Sequence, residues 1–394
     1  MNPSAKQIAI RATYMRGGTS KGVFFTPEDL PLAAQDSPAS RDAILLRVVG
    51  SPDPYAKHID GMGGATSSTS KVVLVSRSDR PDCDVDYLFG AVSVDKPVVD
   101  WSGNCGNLTS AVGPFAISRG LVAAPRDGMA QVRIWQANIG KKIIAHVPMT
   151  GGEVQELGDF ELDGVTFPAA EIKLEFLDPG ADGEGEGGAM FPTGWMIDRI
   201  EIPGVGRIEA TLINAGNPSI FIDAATVGLT GHELQEDVNS NDEFLALCES
   251  IRAQCAVAMG LAPSAKEATE TRPHTPKLAF VAKPLGYTAS SGKAVQAQDI
   301  DLLARIMSMG KLHHAMTGTG AVAIAVAASI PGTLVSRILT KGAQPEVRFG
   351  HPSGTLCVGA TAESVSGTWT VTRAIMSRSA RRLMDGHVLV PGGQ

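Results

Sequence analysis

From Ile8 onward the chain alternates: Ile8, Ile10, Ala12 and Tyr14 take every second position, with Ala9, Arg11 and Thr13 between them. That period predicts a half-buried strand. Further β-rich runs follow in KVVLVS (Lys71–Ser76), VDYLFGAVSV (Val85–Val94), QVRIWQANI (Gln131–Ile139) and KIIAHVPM (Lys142–Met149), mostly bounded by Gly, Asp or Pro. Helical spacing of Ile44, Leu45 and Val48 predicts a helix over Ser40–Val49, and a second is expected from Gly103–Asn104 through LTSAVGPFAIS. The second half repeats the style. Strands are expected at Arg207–Gly216, Ser219–Ala224, Lys277–Ala282, Thr355–Ser364 and Thr368–Met376, and helices at Asn241–Gly260, Asp299–Gly310 and His313–Ile330. Past Gly320 the last of these is apolar on nearly every face, which predicts burial all round. A fully buried helix among strands suggests a barrel-like wrap.

Between the halves lies DPGADGEGEGG (Asp178–Gly188), acidic and Gly-rich, which reads as a solvated linker. EF-hand spacing is missing from it. The expected division is therefore an N-terminal domain over 1–185 and a C-terminal domain over 186–394. A short echo links them. SGNCGNLTSAVG (Ser102–Gly113) and GHPSGTLCVGA (Gly350–Ala360) each place Gly-x-Leu after a small nucleophile-type residue, so that Cys105 falls over Ser353, Gly106 over Gly354 and Leu108 over Leu356.

Composition narrows the function classes. With 34 Lys+Arg against 41 Asp+Glu the net charge is -7, which argues against a general nucleic-acid binder. Plentiful Val, Ile and Leu exclude extensive disorder. The five cysteines form no C-x-x-C pair, so a zinc knuckle or thioredoxin motif is not expected, and a reducing cytoplasm is. The opening residues lack a signal-peptide core, and the long uncharged stretch Ala315–Ser336 is broken by Gly318, Gly320 and Pro331–Gly332, so it reads as a buried helix and turn rather than a membrane span. GTGAVA (Gly318–Ala323) matches a truncated dinucleotide fingerprint but follows HHAM rather than a strand. The His313–His314 pair fits no HxH or HExxH metal pattern.

Three segments concentrate chemistry. YMRGGTSKG (Tyr14–Gly22) follows a strand and offers two glycines, the hydroxyls of Thr19 and Ser20, and the cations Arg16 and Lys21, a set suited to a carboxylate or phosphate; a solvated hairpin turn is the alternative. DGMGGATSSTSK (Asp60–Lys71) runs through Ser67 and Ser68 into Lys71 at the opening of a strand. It lacks the Gly before Lys and the helix after it that a P-loop needs. A lysine partly desolvated at a pocket edge can act as a base, whereas an exposed loop lysine cannot. WSGNCGNLTSAVG places Cys105, flanked by Asn104, Gly106 and Asn107, where a helix should begin, and NH groups there stabilise a thiolate or hold a carboxylate.

Taken together, ATYMRGGTSKGVFF, GSPDPYAKHIDGMGGATSSTSK, DWSGNCGNLTSAVGPFAIS, RIWQANIGKKIIAHVP, MGKLHHAM, VRFGHPSGTL and IMSRSARRLM closely resemble the 2-methylaconitate cis-trans isomerase family, PrpF, over nearly the whole chain. The resemblance implies an α/β, diaminopimelate-epimerase-like fold: two similar domains, each a strongly curved mixed sheet or barrel round a central helix, with the active site between them. It implies trans-to-cis isomerisation of 2-methylaconitate in propionate breakdown by the 2-methylcitrate cycle, through an allylic 1,3-proton shift. Lys71 matches the family's catalytic lysine and Cys105 the epimerase-type cysteine. The second epimerase cysteine would fall at Gly350–Gly354, where this chain has Ser353, so a two-thiol route is not expected. Helix N-terminal NH groups near Cys105–Asn107 and Ser353–Thr355, Gly354 among them, would hold carboxylates. Arg16, Ser20, Lys21, Ser67, Ser68, Lys277, Ser308 and His314 are candidates for the remaining carboxylate contacts. No metal or organic cofactor is implied. The expected partner is a small tricarboxylate, with an aconitase-type dehydratase consuming the product; a homodimer is left open, and neither nucleic acid nor membrane is expected. Two rival readings are an isomerase of another unsaturated polyacid, such as oxalomesaconate or methylitaconate, and a non-catalytic accessory protein to an iron–sulfur dehydratase.

Overall fold

The computed structural model describes residues 6–180, 189–365 and 368–392. The expected domain boundary at 185/186 lies outside them. Sixteen principal strands carry the fold. In the first half they are β1 (Gln7–Gly17), β2 (Ser20–Phe25), β3 (Lys71–Arg77), β4 (Val85–Val92), β5 (Gly128–Gln136), β6 (Lys141–Thr150) and β7 (Ile172–Leu177). In the second they are β8 (Asp198–Ile202), β9 (Gly206–Ala215), β10 (Asn217–Asp223), β11 (Lys277–Ala282), β12 (Leu302–Ser308), β13 (Glu346–His351), β14 (Gly354–Val365), β15 (Thr368–Arg378) and β16 (Ala380–Pro391). Three two-residue strands, at Val99–Asp100, Glu153–Val154 and Lys311–Leu312, complete a single nineteen-stranded sheet among the described residues.

Strand pairing reveals a duplication. The principal order is β16-β1-β2-β3-β4-β5-β6-β7, then β15-β14-β13-β12-β11-β10-β9-β8. In the first set β2–β3 and β4–β5 are parallel and every other pair is antiparallel. In the second set β10–β11 and β12–β13 are parallel and the rest antiparallel, so the two sets share one pattern. The antiparallel pair β7–β15 joins them. β16 closes the first set, so a division at 185/186 leaves this strand with the half it does not pair with.

Each set surrounds one helix. Helix α2 (Gly106–Ser118) packs on β1, β2, β5, β6, β7 and β16, which are strands from both ends of its set. Helix α4 (Gly318–Ser329) packs on β9, β10, β13, β14 and β15 in the same way. A sheet that touches one helix with both ends must curl round it. Neither set closes into a barrel, however: β16 and β8 are free ends of the order, so the closed form among the sequence expectations gives way to two open, curled halves of one sheet. One apolar core contains both helices, and a separate core lies outside each sheet, under α1 (Pro38–Val49) and α3 (Asp242–Ala258). Strands covered on both faces read as continuous apolar runs, as KVVLV and KLAFV do here.

This double coverage overturns one expected helix. Asp299–Gly310 contains strand β12, all seven residues of which are buried. Leu302, Leu303, Ile306 and Met307 fit helical spacing as well as a strand covered on both faces, so their pattern does not distinguish the two. The helix expected over His313–Ile330 begins only at Gly318, because the Thr317 hydroxyl accepts the Gly320 N–H at 3.1 Å and caps it there. No helix among the described residues is long and apolar enough to cross a membrane.

Candidate active site

The N-termini of α2 and α4 meet at the join of the two halves. The approach requires glycine on both sides. A Cβ on Gly106 would lie 2.7 Å from the carbonyl carbon of Gly318, and one on Gly318 would strike Gly106 and stand 2.5 Å from the amide nitrogen of Asn107. Asn217 ties the join, accepting the Asn104 N–H at 2.8 Å and donating to Asn104 O at 2.9 Å and Thr319 Oγ1 at 3.2 Å.

Cys105 caps α2. Its Sγ accepts the Leu108 N–H at 3.5 Å and the Lys71 Nζ at 3.1 Å. Lys71 opens β3, as expected, and is buried, with Nζ 5.3 Å from the centre of the Phe89 ring. Asn107 is held from three directions: it donates to Thr19 Oγ1 at 3.0 Å and Met316 O at 3.1 Å, and accepts Arg378 Nε at 2.9 Å. Arg378 is itself fully buried, and burial pushes its guanidinium down to about 10. Lys277 opens β11. Its Nζ donates to His274 Nδ1 at 3.1 Å and Ser308 Oγ at 3.3 Å, and burial followed by the charge of Lys71 pushes it down to about 7.

A cleft of about 1060 Å³ adjoins this cluster. Arg16, Ser20, Lys21, Ser67, Ser68, Ser308 and His314 line it, so seven of the expected carboxylate contacts share one cavity. Lys71, Cys105, Asn104, Gly106, Asn107 and Lys277 are buried and do not line it; two lining hydroxyls connect to them, Ser308 to Lys277 and Thr19 to Asn107. Arg16 donates to Gly18 O at 3.1 Å and Ser379 O at 2.8 Å, and burial, then repulsion from Arg381, lowers it to about 10. The Ser20 hydroxyl is buried in the cleft wall with no partner among the described residues, a donor left for a ligand.

Ser68 bridges the halves. It bonds His313 Nε2 at 3.0 Å and His314 Nδ1 at 3.1 Å, and the two rings stack at 4.7 Å. Proton positions follow from the partners. The Ala315 N–H donates to His313 Nδ1 at 3.0 Å, so His313 carries its proton on Nε2 and donates to Ser68. Ser68 then donates to His314 Nδ1, which leaves the His314 Nε2–H as the donor offered to the cleft. Burial holds both imidazoles below their ordinary range, hence neutral near pH 7.

Ser353 and Gly354 do not stand at a helix N-terminus. They form the β13–β14 hairpin, where the two strands pair in register. The Ser353 hydroxyl donates to His314 O at 2.6 Å, and the Thr355 N–H donates to Asp163 Oδ2 at 2.7 Å, so neither donor faces the cleft. The residue that occupies the place of Cys105 in the second half is Thr317, cap of α4, rather than Ser353. The sequence echo aligned a hairpin with a helix cap because both are Gly-containing turns before a leucine. His274, His313, Asn217, Thr317 and Arg378 were not expected at the site. Except for His313 and Thr317 they lie far apart along the chain, and only the fold gathers them.

The geometry is thus a buried lysine on a cysteine at a helix N-terminus, beside a cleft carrying cations, hydroxyls and a neutral imidazole. The PrpF protein family model matches residues 7–391. This chain belongs to the PrpF family. It is 66% identical over 388 residues to the 2-methyl-aconitate isomerase of Shewanella oneidensis, covering 98% of each chain. It is 64% identical over 389 residues to the enzyme of the same name from Cupriavidus necator, again covering 98% of each. Among solved structures it resembles methylitaconate-delta-isomerase, at TM-score 0.73 and 38% identity over 98% of this chain and 96% of the other. It also shares its fold with a hydroxyproline epimerase from Agrobacterium vitis, at TM-score 0.55 and 13% identity over 98% of this chain and 93% of the other.

Proposed function

We propose that this protein isomerises 2-methylaconitate from trans to cis by moving an allylic proton. The observation that carries the reading is the buried Lys71–Cys105 contact at the N-terminus of α2, beside a cleft built for carboxylates, in a chain 66% identical to a 2-methyl-aconitate isomerase. The substrate is a tricarboxylate whose allylic C–H lies next to a carboxylate-conjugated alkene. Lys71, as the amine, removes that proton, and the bonding pair spreads over the allyl unit and its carboxylate. A proton returned at the far end re-forms the double bond in its new place. Charge accumulates on the conjugated carboxylate in between, so the site needs fixed donors there. The N–H groups at the start of α2 and α4 other than those capped by Cys105 and Thr317 supply them. Arg16, Lys21, the unpartnered Ser20 hydroxyl and His314 Nε2–H suit the remaining carboxylates. An aconitase-type dehydratase is the class of enzyme that would consume the cis product.

The decisive experiment follows trans-aconitate and 2-methyl-trans-aconitate by NMR in D₂O. The cis product is expected to carry deuterium at the migrated position. A change of geometry with neither solvent deuterium nor a C–H isotope effect sinks the proton-shift mechanism.

Cys105→Ser is expected to be mild. A hydroxyl accepts both the Lys71 ammonium and the Leu108 N–H, so turnover should fall by roughly tenfold or less. Steady-state kinetics check this. A folded Cys105→Ser protein as inactive as one lacking Lys71 would transfer the role of proton carrier to the thiol.

A further inference from the structure

The duplicated strand pattern relates the two buried lysines. β3 lies parallel to β2 and antiparallel to β4, and it begins with Lys71. Its counterpart β11 lies parallel to β10 and antiparallel to β12, and it begins with Lys277. Both side chains are buried, and each connects to the turn that starts α2. Lys71 reaches Cys105 Sγ directly. Lys277 reaches the preceding residue through His274, whose Nε2 bonds Asn104 O at 3.3 Å. That bond places the imidazole proton on Nε2, so Nδ1 accepts from Lys277 and fixes the direction of its Nζ. The other partner of Lys277, Ser308, lines the cleft. Lys71 directly and Lys277 through His274 thus connect to one turn from opposite halves.

We propose that Lys277 is the second proton-transfer residue, serving the end of the allyl unit opposite to the one that Lys71 deprotonates. This rests on the reading of the chain as an allylic isomerase. Lys277 forms no ion pair among the described residues; its side-chain partners are a neutral imidazole and a hydroxyl. A structural ammonium buried at 2% exposure would ordinarily be paired with a carboxylate, because desolvating a lone charge is costly. A group that alternates between amine and ammonium instead benefits from such surroundings. The lowered proton affinity imposed by burial and by Lys71 puts both forms within reach near neutrality. The step balances. The Lys71 amine takes the allylic proton and becomes an ammonium; the Lys277 ammonium gives a proton to the far carbon and becomes an amine; exchange with solvent resets the pair.

The test separates proton transfer from carboxylate binding. Lys277→Met should lose at least about 10²-fold in isomerisation, the scale of a missing general acid. It should still exchange solvent deuterium into the allylic position of unconverted substrate, because Lys71 remains. Lys277→Arg keeps the charge and its donors but cannot surrender a proton near pH 7, so it should bind trans-aconitate and fail to isomerise it. If the Met variant does not fold, the Arg variant carries the test. Native turnover in Lys277→Arg, or in Lys277→Met, overturns the proposal. Loss of exchange and isomerisation together, with weakened binding, overturns it as well and makes Lys277 a carboxylate anchor. If the unaltered protein isomerises no unsaturated acid, the functional reading itself fails; if it does and Lys277→Arg does too, only the proposal fails.

Discussion

Lys71→Met should abolish isomerisation, with turnover falling by about 10²–10⁴-fold, the usual loss when a positioned general acid or base is removed. Methionine keeps an unbranched stem of similar length while deleting the amine that stands over Phe89. Cys105 loses one partner and keeps the Leu108 N–H, so the cap of α2 survives. Secondary structure should therefore be unchanged by circular dichroism in the same sample that is assayed. Lys71→Arg should be as inactive, since it retains the cation but cannot become a neutral base near pH 7. A second signature is available at Lys277. Repulsion from Lys71 is, after burial, the main cause of its lowered pKa, so removing Lys71 should move the titration of Lys277 upward. Heteronuclear NMR of labelled lysine side chains reads that movement directly. A folded Lys71→Met enzyme with native turnover ends the mechanism proposed here.

The hydrophobic pattern made most strands and the central helices legible, and the small-residue approach to Lys71 marked the start of β3. It failed where burial masks periodicity: β12 is buried along its whole length, Arg305 and Ser308 included, and Leu302, Leu303, Ile306 and Met307 fit helical spacing as well as a strand. The duplication was legible only as a short echo, and the echo pointed to Ser353. What repeats between the halves is the order and direction of strands, and pairing partners far apart in sequence leave no local trace. Lys277 illustrates the point. The family resemblance marked it as a carboxylate contact, yet its kinship with Lys71 is written in β2–β3 and β10–β11, which pair in parallel in both halves. His313 and Ser68 make a bond across 245 positions, and nothing near either residue announces the other.

The second large effect is expected at Gly318. This residue is the first of α4, and its Cα faces the first residue of α2 with no room between them. In Gly318→Ala the new methyl would press on the backbone of Gly106 and Asn107, and backbone, unlike the end of a flexible side chain, cannot swing aside. The two helix N-termini must separate. Overpacking of this kind costs typically about 1–3 kcal/mol, which a thermal melt detects. The catalytic loss should be larger than the stability loss implies. Both free helix ends contribute donors at the join, and a displacement near 1 Å in such a site costs roughly 10²-fold. Gly386→Ala is the matching control: a Cβ there meets nothing within 4 Å, so neither melting nor kcat/KM should move. The comparison also bears on how the halves cooperate. If Gly318→Ala loses activity while trans-aconitate still binds, the helix ends act on the developing charge rather than on the ground-state carboxylates, as stabilisation of an enolate-like intermediate requires. Native melting and native kcat/KM in Gly318→Ala would mean that the join yields without consequence, and the shared role assigned to the two helix ends would fall with it.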